Sequence, residues 1–331
     1  MVSSVGNRWI RVTPALMRSG KRGWMDAMST FENGAARSEL ELAARTTDDD
    51  DYAGRQGRII AIRARGGKAP LFCIHAGAGH ILHYHEMAEV LGDDQPVYGL
   101  SAPELDGAEQ LATVEQLATL YLRDIRQVQS HGPYQVCGLS FGALVAFEMA
   151  SQLVSGGEQV GVAAIFDMGN PRYYRNLPPA KSWAFKKTYL SDRIKKYALN
   201  LLKGNLAALF GDARQLLVSR ARNYGWRMIR NAATLLGRPV PVLVRSNEAM
   251  FSDIARSYAP RRYPGRLLLF RAEGRSVEYG SNVALGWDEV AEQGVSVHYV
   301  PGGHVSMMEK PHVISLVEQL RPYLAGSPDR R

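Results

Sequence analysis

Cysteine is nearly absent from this 331-residue sequence, which holds only Cys73 and Cys137. Each sits in an apolar, strand-like run, so a buried reduced thiol fits both positions, while a disulfide framework or a zinc site fits neither. Long hydrophobic stretches are missing as well. No apolar run approaches the roughly 18 residues that a membrane-spanning helix needs, and the first residues lack the apolar core of a secretory signal, so a cytoplasmic location is expected. Acidic residues are scarce in one region. Between Pro171 and Val240, fifteen lysines and arginines stand against Asp192 and Asp212 alone, although the whole chain has a net charge of only +8. The rest of the protein is therefore slightly acidic, and the basic segment is either a solvated helical surface or a docking face for something anionic.

Enough apolar sequence remains, at 46% of residues, to bury the core of one large domain. Residues 1–56 show little apolar periodicity, begin basic and end in "TTDDDDYAGRQG", which reads as a poorly ordered tail. From residue 57 a β/α alternation begins. "RIIAIRA", "APLFCIH", "QPVYGLSAP", "PYQVCG" and "QVGVAAIFD" read as strands, with helical patterns between them. In "TVEQLATLYLRDIRQV" the residues Val114, Leu117, Tyr121, Ile125 and Val128 share a helical face, and Thr113 with Gln116 matches a capping box. The alternation stops over about 172–262, where basic and aromatic helical patterns predominate. It resumes with "GRLLLFRA", "VSVHYVPGGH" and a last helix carrying Val313, Leu316, Val317, Leu320 and Leu324 on one side. Strands joined by helices imply a mostly parallel sheet covered on both faces, here over 57–325 with a helical insertion at about 172–262, leaving 326–331 as a C-terminal tail.

Gly138-Leu139-Ser140-Phe141-Gly142 has the form G-x-S-x-G, preceded by an apolar strand and followed by a helix that is apolar nearly all round. A serine hydroxyl becomes a useful nucleophile only beside a base, and the attacked carbonyl needs donors for its oxyanion. On such a strand-to-helix turn the expected partners follow in the order Ser, Asp/Glu, His at later strand ends. Asp167 closes the next strand, and His304 follows the last one within "VPGGHVSMM". In that arrangement Ser140 is the nucleophile, His304 the general base and then acid, and Asp167 the residue that orients the imidazole. The Phe141 N–H supplies one oxyanion donor, and the loop "CIHAGAGH" supplies the other from Ala76 or Gly77. Glu273 in "FRAEGRS" stands in reserve as the acid. His75 beside that loop fits a substrate contact or a strand-end structural role. The cluster His80, His83 and His85 invites a metal reading, but without the i, i+4 spacing or ligand set of a metal helix it is read as lining the first helix. No cofactor, metal or nucleic acid is expected.

The chain from about 69 to 324 resembles the α/β-hydrolase thioesterase domains that release products from nonribosomal peptide and polyketide synthases. The resemblance is carried by "PLFCIHAGAG", "GLSFGALVAFEMA", "FDMGNP", "YPGRLLLFRA", "GWDEVAEQGVSVHYVPGGHVSMM" and the final helix. It implies an acyl-serine intermediate at Ser140, loaded from a carrier-protein phosphopantetheine thioester or from coenzyme A and resolved by water or an internal nucleophile. It also implies a helical lid, matching the insertion at 172–262. Two positions depart from the common pattern, Leu139 before the serine and Ala143 after Gly142. Placing the acid at Asp167 resembles synthase-fused domains; free-standing editing thioesterases carry it one strand later. The basic lid then reads as a face for an acidic carrier protein, with membrane-surface contact through "WAFKKTYLSDRIKKYALNLLKG" as another reading. No carrier domain with its attachment serine is visible in residues 1–56, so the thioester is expected in trans. A carboxylic-ester hydrolase or acyltransferase would use the same triad, and a non-catalytic binding protein would need none of it.

Overall fold

In a computed structural model of the chain, the described residues are 2–5, 8–11, 58–103, 113–176, scattered helical positions within 221–236, 247–275 and 282–325. Two compact units result, 1–56 and 57–331. In the first, strands β1 (Val2–Val5) and β2 (Arg8–Arg11) pair antiparallel, with Val2 opposite Arg11. The remainder of the tail expected over 1–56, and the tail at 326–331, lie outside the described residues.

The second unit is built on seven strands: β3 (Ile59–Arg63), β4 (Leu71–Ile74), β5 (Val97–Leu100), β6 (Tyr134–Leu139), β7 (Val160–Phe166), β8 (Leu267–Ala272) and β9 (Val295–Val300). Their order across the sheet is β3-β5-β4-β6-β7-β8-β9, and every pairing is parallel except that of β3 with β5. The four central runs β4, β6, β7 and β8 are apolar almost throughout because helices cover both faces of the sheet. Helices α1 (Tyr84–Leu91), α2 (Val114–Ile125), α3 (Phe141–Ser155), α4 (Pro171–Arg175), α5 (Asn247–Ser257) and α6 (His312–Leu324) are the described ones of regular length.

Two cores flank the sheet. On one side α2, α3 and α5 pack over Phe72, Ile74, Val136 and Ile165; on the other, α1 and α6 pack over Cys73, Cys137, Ala164 and Phe270. The final-helix stripe of Val313, Leu316, Val317, Leu320 and Leu324 is entirely buried. Helix α2 begins as its capping signal anticipates, the Thr113 side chain accepting from the Gln116 N–H. It ends at Ile125, so Val128 is not on the buried stripe but in the following turn, exposed. α3 lacks a polar face because it is enclosed: Phe141 through Ala150 are all buried.

Between 171 and 262 the described residues are helical or irregular and none is a strand. The two ends of this stretch are joined, since the Arg175 guanidinium donates to the carbonyls of Arg256 and, at 2.8 Å, Tyr258. Tyr258 in turn donates to Glu148 of α3 at 2.7 Å. Most of the basic side chains of 172–240 lie outside the described residues, and so does the question of their docking role. Among the described residues no helix is long and apolar enough to cross a membrane.

Candidate active site

Parallel strands present their C-terminal ends along one edge, and the candidate residues collect there. Leu139 of β6 is in register with Phe166 of β7, which is in register with Phe270 of β8. The next residue on each of the first two strands is Ser140 and Asp167. Their backbones are tied to the neighbouring strand: the Ser140 N–H donates to the Phe166 carbonyl at 3.0 Å, and the Asp167 N–H to the Phe270 carbonyl at 2.8 Å.

Ser140 occupies φ 56°, ψ −121°, a region that L-residues rarely enter. A conformation of this kind costs about 1–3 kcal/mol and survives only where packing enforces it. The glycines on either side explain how. A methyl on Gly138 would overlap the Gly142 carbonyl group, and a methyl on Gly142 would overlap the carbonyl oxygens of Ile74 and His75. Both glycines are thus needed for α3 to approach β6 and the end of β4, and that approach sets the start of α3 against His75, the residue before the Ala76–Gly77 loop. Tyr84 at the start of α1 completes the join. Its buried hydroxyl donates to the Ile74 carbonyl at 2.6 Å and accepts from the Leu139 N–H at 2.9 Å, bridging the residue before the serine to the strand that leads into the loop. Burial raises the Tyr84 phenol well above its ordinary range, so it remains a neutral bridge.

Asp167 is also left-handed, at φ 49°, and fully buried. A buried carboxylate must be matched by donors. Oδ2 lies 2.7 Å from His304 Nδ1, and Oδ1 accepts from the Ala272 N–H at 3.1 Å. Facing a carboxylate, Nδ1 is the nitrogen that carries the proton, which leaves the Nε2 lone pair free as a base. The loop after Asp167 is held by three bonds: the Trp287 indole N–H to the Met168 carbonyl (2.7 Å), the Asn170 N–H to the Leu285 carbonyl (3.0 Å) and the Asn170 amide to the Gly286 carbonyl (2.9 Å). His304 keeps 27% of its side chain exposed, so the ring is open to an incoming substrate.

The structure therefore joins Asp167 to His304 directly and sets Ser140 beside Asp167 on the adjacent strand end. Among the described residues no hydrogen bond links the Ser140 hydroxyl to His304; in substrate-free sites this bond is often long and tightens on binding. Glu273 stands exposed at the start of a short turn after β8, one residue past Ala272, and the His304 ring bonds to Asp167 instead. Ala76 and Phe141 are buried and Gly77 is half-buried with open space beside it. The imidazoles of His80 and His83 lie 5.0 Å apart, and burial with the neighbouring His80 and His304 lowers His83 to about 4. Among the described residues no group of three or more potential ligands is gathered for a metal. The aromatic side of the site is closed by α5, whose Phe251 stacks on Phe141 at 4.5 Å and lies 4.9 Å from His75.

Residues 69–321 match the thioesterase domain family. The chain belongs to that family. As a thioesterase it is an enzyme of the hydrolase class, and its mostly parallel seven-stranded sheet is the α/β-hydrolase fold expected of it. The chain is 30% identical over 290 residues to malpibaldin synthetase of Mortierella alpina, covering 86% of this chain, and 42% identical over 282 residues to the probable non-canonical nonribosomal peptide synthetase CymA of Salinispora arenicola, covering 81%. It spans only 4% and 3% of the length of those two relatives. Among solved structures the NocB thioesterase domain, in covalent complex with a fluorophosphonate nocardicin G analogue, has the same fold: 24% identity, TM-score 0.56, covering 81% of this thioesterase and all of that chain.

Residues that sequence reasoning did not single out are Tyr84, Trp287 and Asn170. Each bonds to a backbone carbonyl or N–H more than fifty positions away, Tyr84 to Leu139, Trp287 to Met168 and Asn170 to Gly286, and no local pattern marks such a contact.

Proposed function

We propose that this thioesterase releases an acyl or peptidyl chain from a carrier-protein phosphopantetheine thioester through an acyl-Ser140 intermediate. The observation that carries the reading is the bond between buried Asp167 and part-exposed His304, 2.7 Å apart, on the strand end next to a strained Ser140. His304 Nε2 takes the Ser140 proton as Oγ attacks the thioester carbonyl. The oxyanion is received by the N–H of Phe141 and an N–H of the Ala76–Gly77 loop. As the intermediate collapses, the carbon–sulfur bond breaks, and the departing pantetheine sulfur takes the proton back from His304. Water, or an amine or hydroxyl within the acyl chain itself, then attacks the acyl-enzyme with His304 again as base; the bond from the acyl carbon to Ser140 Oγ breaks, and His304 returns the proton to Oγ.

A carrier-borne substrate is supported by the relative CymA, which is named as a probable non-canonical nonribosomal peptide synthetase. The segment at about 172–262 acts as a lid, a role supported by Phe251 of α5 resting on Phe141. Its basic composition suits an acidic carrier protein. The test is hydrolysis of a panel of acyl-pantetheine thioesters, with coenzyme A thioesters and matched oxyesters alongside and products read by mass. The proposal requires turnover of the thioesters and its loss in Ser140→Ala. Turnover surviving in Ser140→Ala, or confined to oxyesters, overturns it.

A further inference from the structure

We infer that His75 is a positioning residue whose imidazole locks the Ala76–Gly77 peptide, turning its carbonyl away from Ser140 and presenting the Gly77 N–H to the substrate oxyanion. The inference rests on the reading of Ser140 as the acyl nucleophile.

His75 follows β4 directly and is fully buried. Its Nδ1 lies 2.7 Å from the Ala76 carbonyl oxygen. A carbonyl can only accept, so Nδ1 carries the proton and Nε2 is left with a lone pair. That lone pair has no partner, being enclosed by the rings of Tyr121, Phe141 and Phe251. An unpartnered buried nitrogen is destabilising, and an apolar side chain would fill the space without that penalty. The bond from Nδ1 is what an apolar replacement would lose.

The bond matters because of what it holds. The Ala76 carbonyl also accepts from the Gly79 N–H at 2.9 Å. With two donors on this oxygen, the peptide cannot rotate without breaking both bonds. In a planar trans peptide the N–H points opposite to the carbonyl, so the same lock sets the direction of the Gly77 N–H. Among the described residues that N–H makes no hydrogen bond, and neither does the N–H of Phe141. Glycine at 77 and the open space beside it leave a flip sterically unopposed. A flipped peptide would remove a donor and aim a carbonyl dipole at the developing negative charge. The rest of the loop is anchored elsewhere, the Gly79 carbonyl by the Ala102 N–H at 2.9 Å and the Ala78 carbonyl by Asn247 of α5 at 3.4 Å. Among the described residues, only His75 and Gly79 hold the peptide in question. Burial also lowers His75 to about 4, so the ring stays neutral under ordinary conditions.

The test compares His75→Asn with His75→Gln in the full chain. The Asn amide nitrogen falls near the position of Nδ1 and the Gln amide nitrogen near that of Nε2, so both variants stay polar and only Asn can restore the bond. Steady-state kcat and KM are measured on an acyl-pantetheine thioester, together with inhibition by a boronic acid, whose tetrahedral adduct occupies the oxyanion site. His75→Gln should lose roughly 100-fold in kcat, the scale of one oxyanion donor, with KM within about threefold, weakened boronate binding and a cooperative melt. His75→Asn should recover at least about tenfold of that loss. Equal losses in the two variants, or a Gln variant as active as wild type, overturn the inference. If His75→Gln does not fold, His75→Leu takes its place under the same criteria. A wild type that is inactive and unlabelled by a fluorophosphonate overturns the Ser140 reading itself and the inference with it; an active wild type isolates the result to His75.

Discussion

Gly142→Ala probes the join between nucleophile and oxyanion loop with a single methyl group. The added Cβ would stand closer than 3.0 Å to the carbonyl oxygens of both Ile74 and His75. These are backbone atoms at the end of a central strand, and Tyr84 holds one of them in place. Contact distance for such atoms begins near 3.5 Å, so α3 and the end of β4 must part by on the order of 1 Å. Overpacking of this kind costs about 1–3 kcal/mol, which a folded domain of this size survives. The chemistry is more sensitive. Phe141 precedes Gly142 and the Ala76–Gly77 loop follows His75, so the shift opens the gap between the two oxyanion donors. A misplacement of about 1 Å lowers the rate roughly 100-fold. The assay is kcat and KM on an acyl-pantetheine thioester, beside the rate of fluorophosphonate labelling and the melting temperature. A folded Gly142→Ala protein with wild-type kcat would refute the claim that the loop and the N-terminus of α3 act as one oxyanion site.

Asp167→Asn should lower kcat by about 10⁴ by offering His304 Nδ1 an amide and favouring the wrong tautomer, while Glu273→Gln should stay within about threefold of wild type; steady-state kinetics of the two variants decide which acid serves. Tyr84→Phe removes the hydroxyl that pairs the Ile74 carbonyl and the Leu139 N–H, so it should destabilise by about 1–3 kcal/mol for each group left buried and unpaired and reduce kcat more than KM, as measured by urea denaturation and kinetics. Acid should destabilise the protein through His75. Burial lowers its folded value to about 4 from 6.5, so between these values the unfolded chain binds a proton that the native state refuses. Its contribution is whole above pH 6.5 and falls away toward pH 4, by up to about 3 kcal/mol. The fall in urea midpoint from pH 7 to pH 4.5 should therefore be smaller in His75→Asn than in wild type.

Much of the fold was legible because buried parallel strands announce themselves. "LFCI", "YQVCGL" and "VGVAAIF" are apolar on both faces, and the enclosed α3 lacks a polar side, as its sequence shows. The pairing of Asp167 with His304 was legible for a different reason, that chain order at strand ends constrains which residues meet. Position Val128 misled, since helical periodicity persisted past the point where the turn after Ile125 ends α2. The antiparallel pairing of β3 was not foreseen, because apolar content reports burial and not strand direction. Tyr84 escaped, and His75 could be read only as a substrate contact or a strand-end structural residue, for a common reason. Their partners are backbone groups, which every residue carries, so nothing in the partner's side chain signals the contact. The choice between Ala76 and Gly77 as donor is of the same kind, a matter of how one peptide plane is turned.

The central claim is that Ser140 takes up the acyl group. The most direct measurement is reaction of the protein with a fluorophosphonate, followed by intact mass and mapping of the modified peptide. One adduct per chain is expected, located on Ser140, formed rapidly in wild type, slowly in His304→Ala and not at all in Ser140→Ala. An unmodified wild type, or an adduct on any other residue, would contradict it.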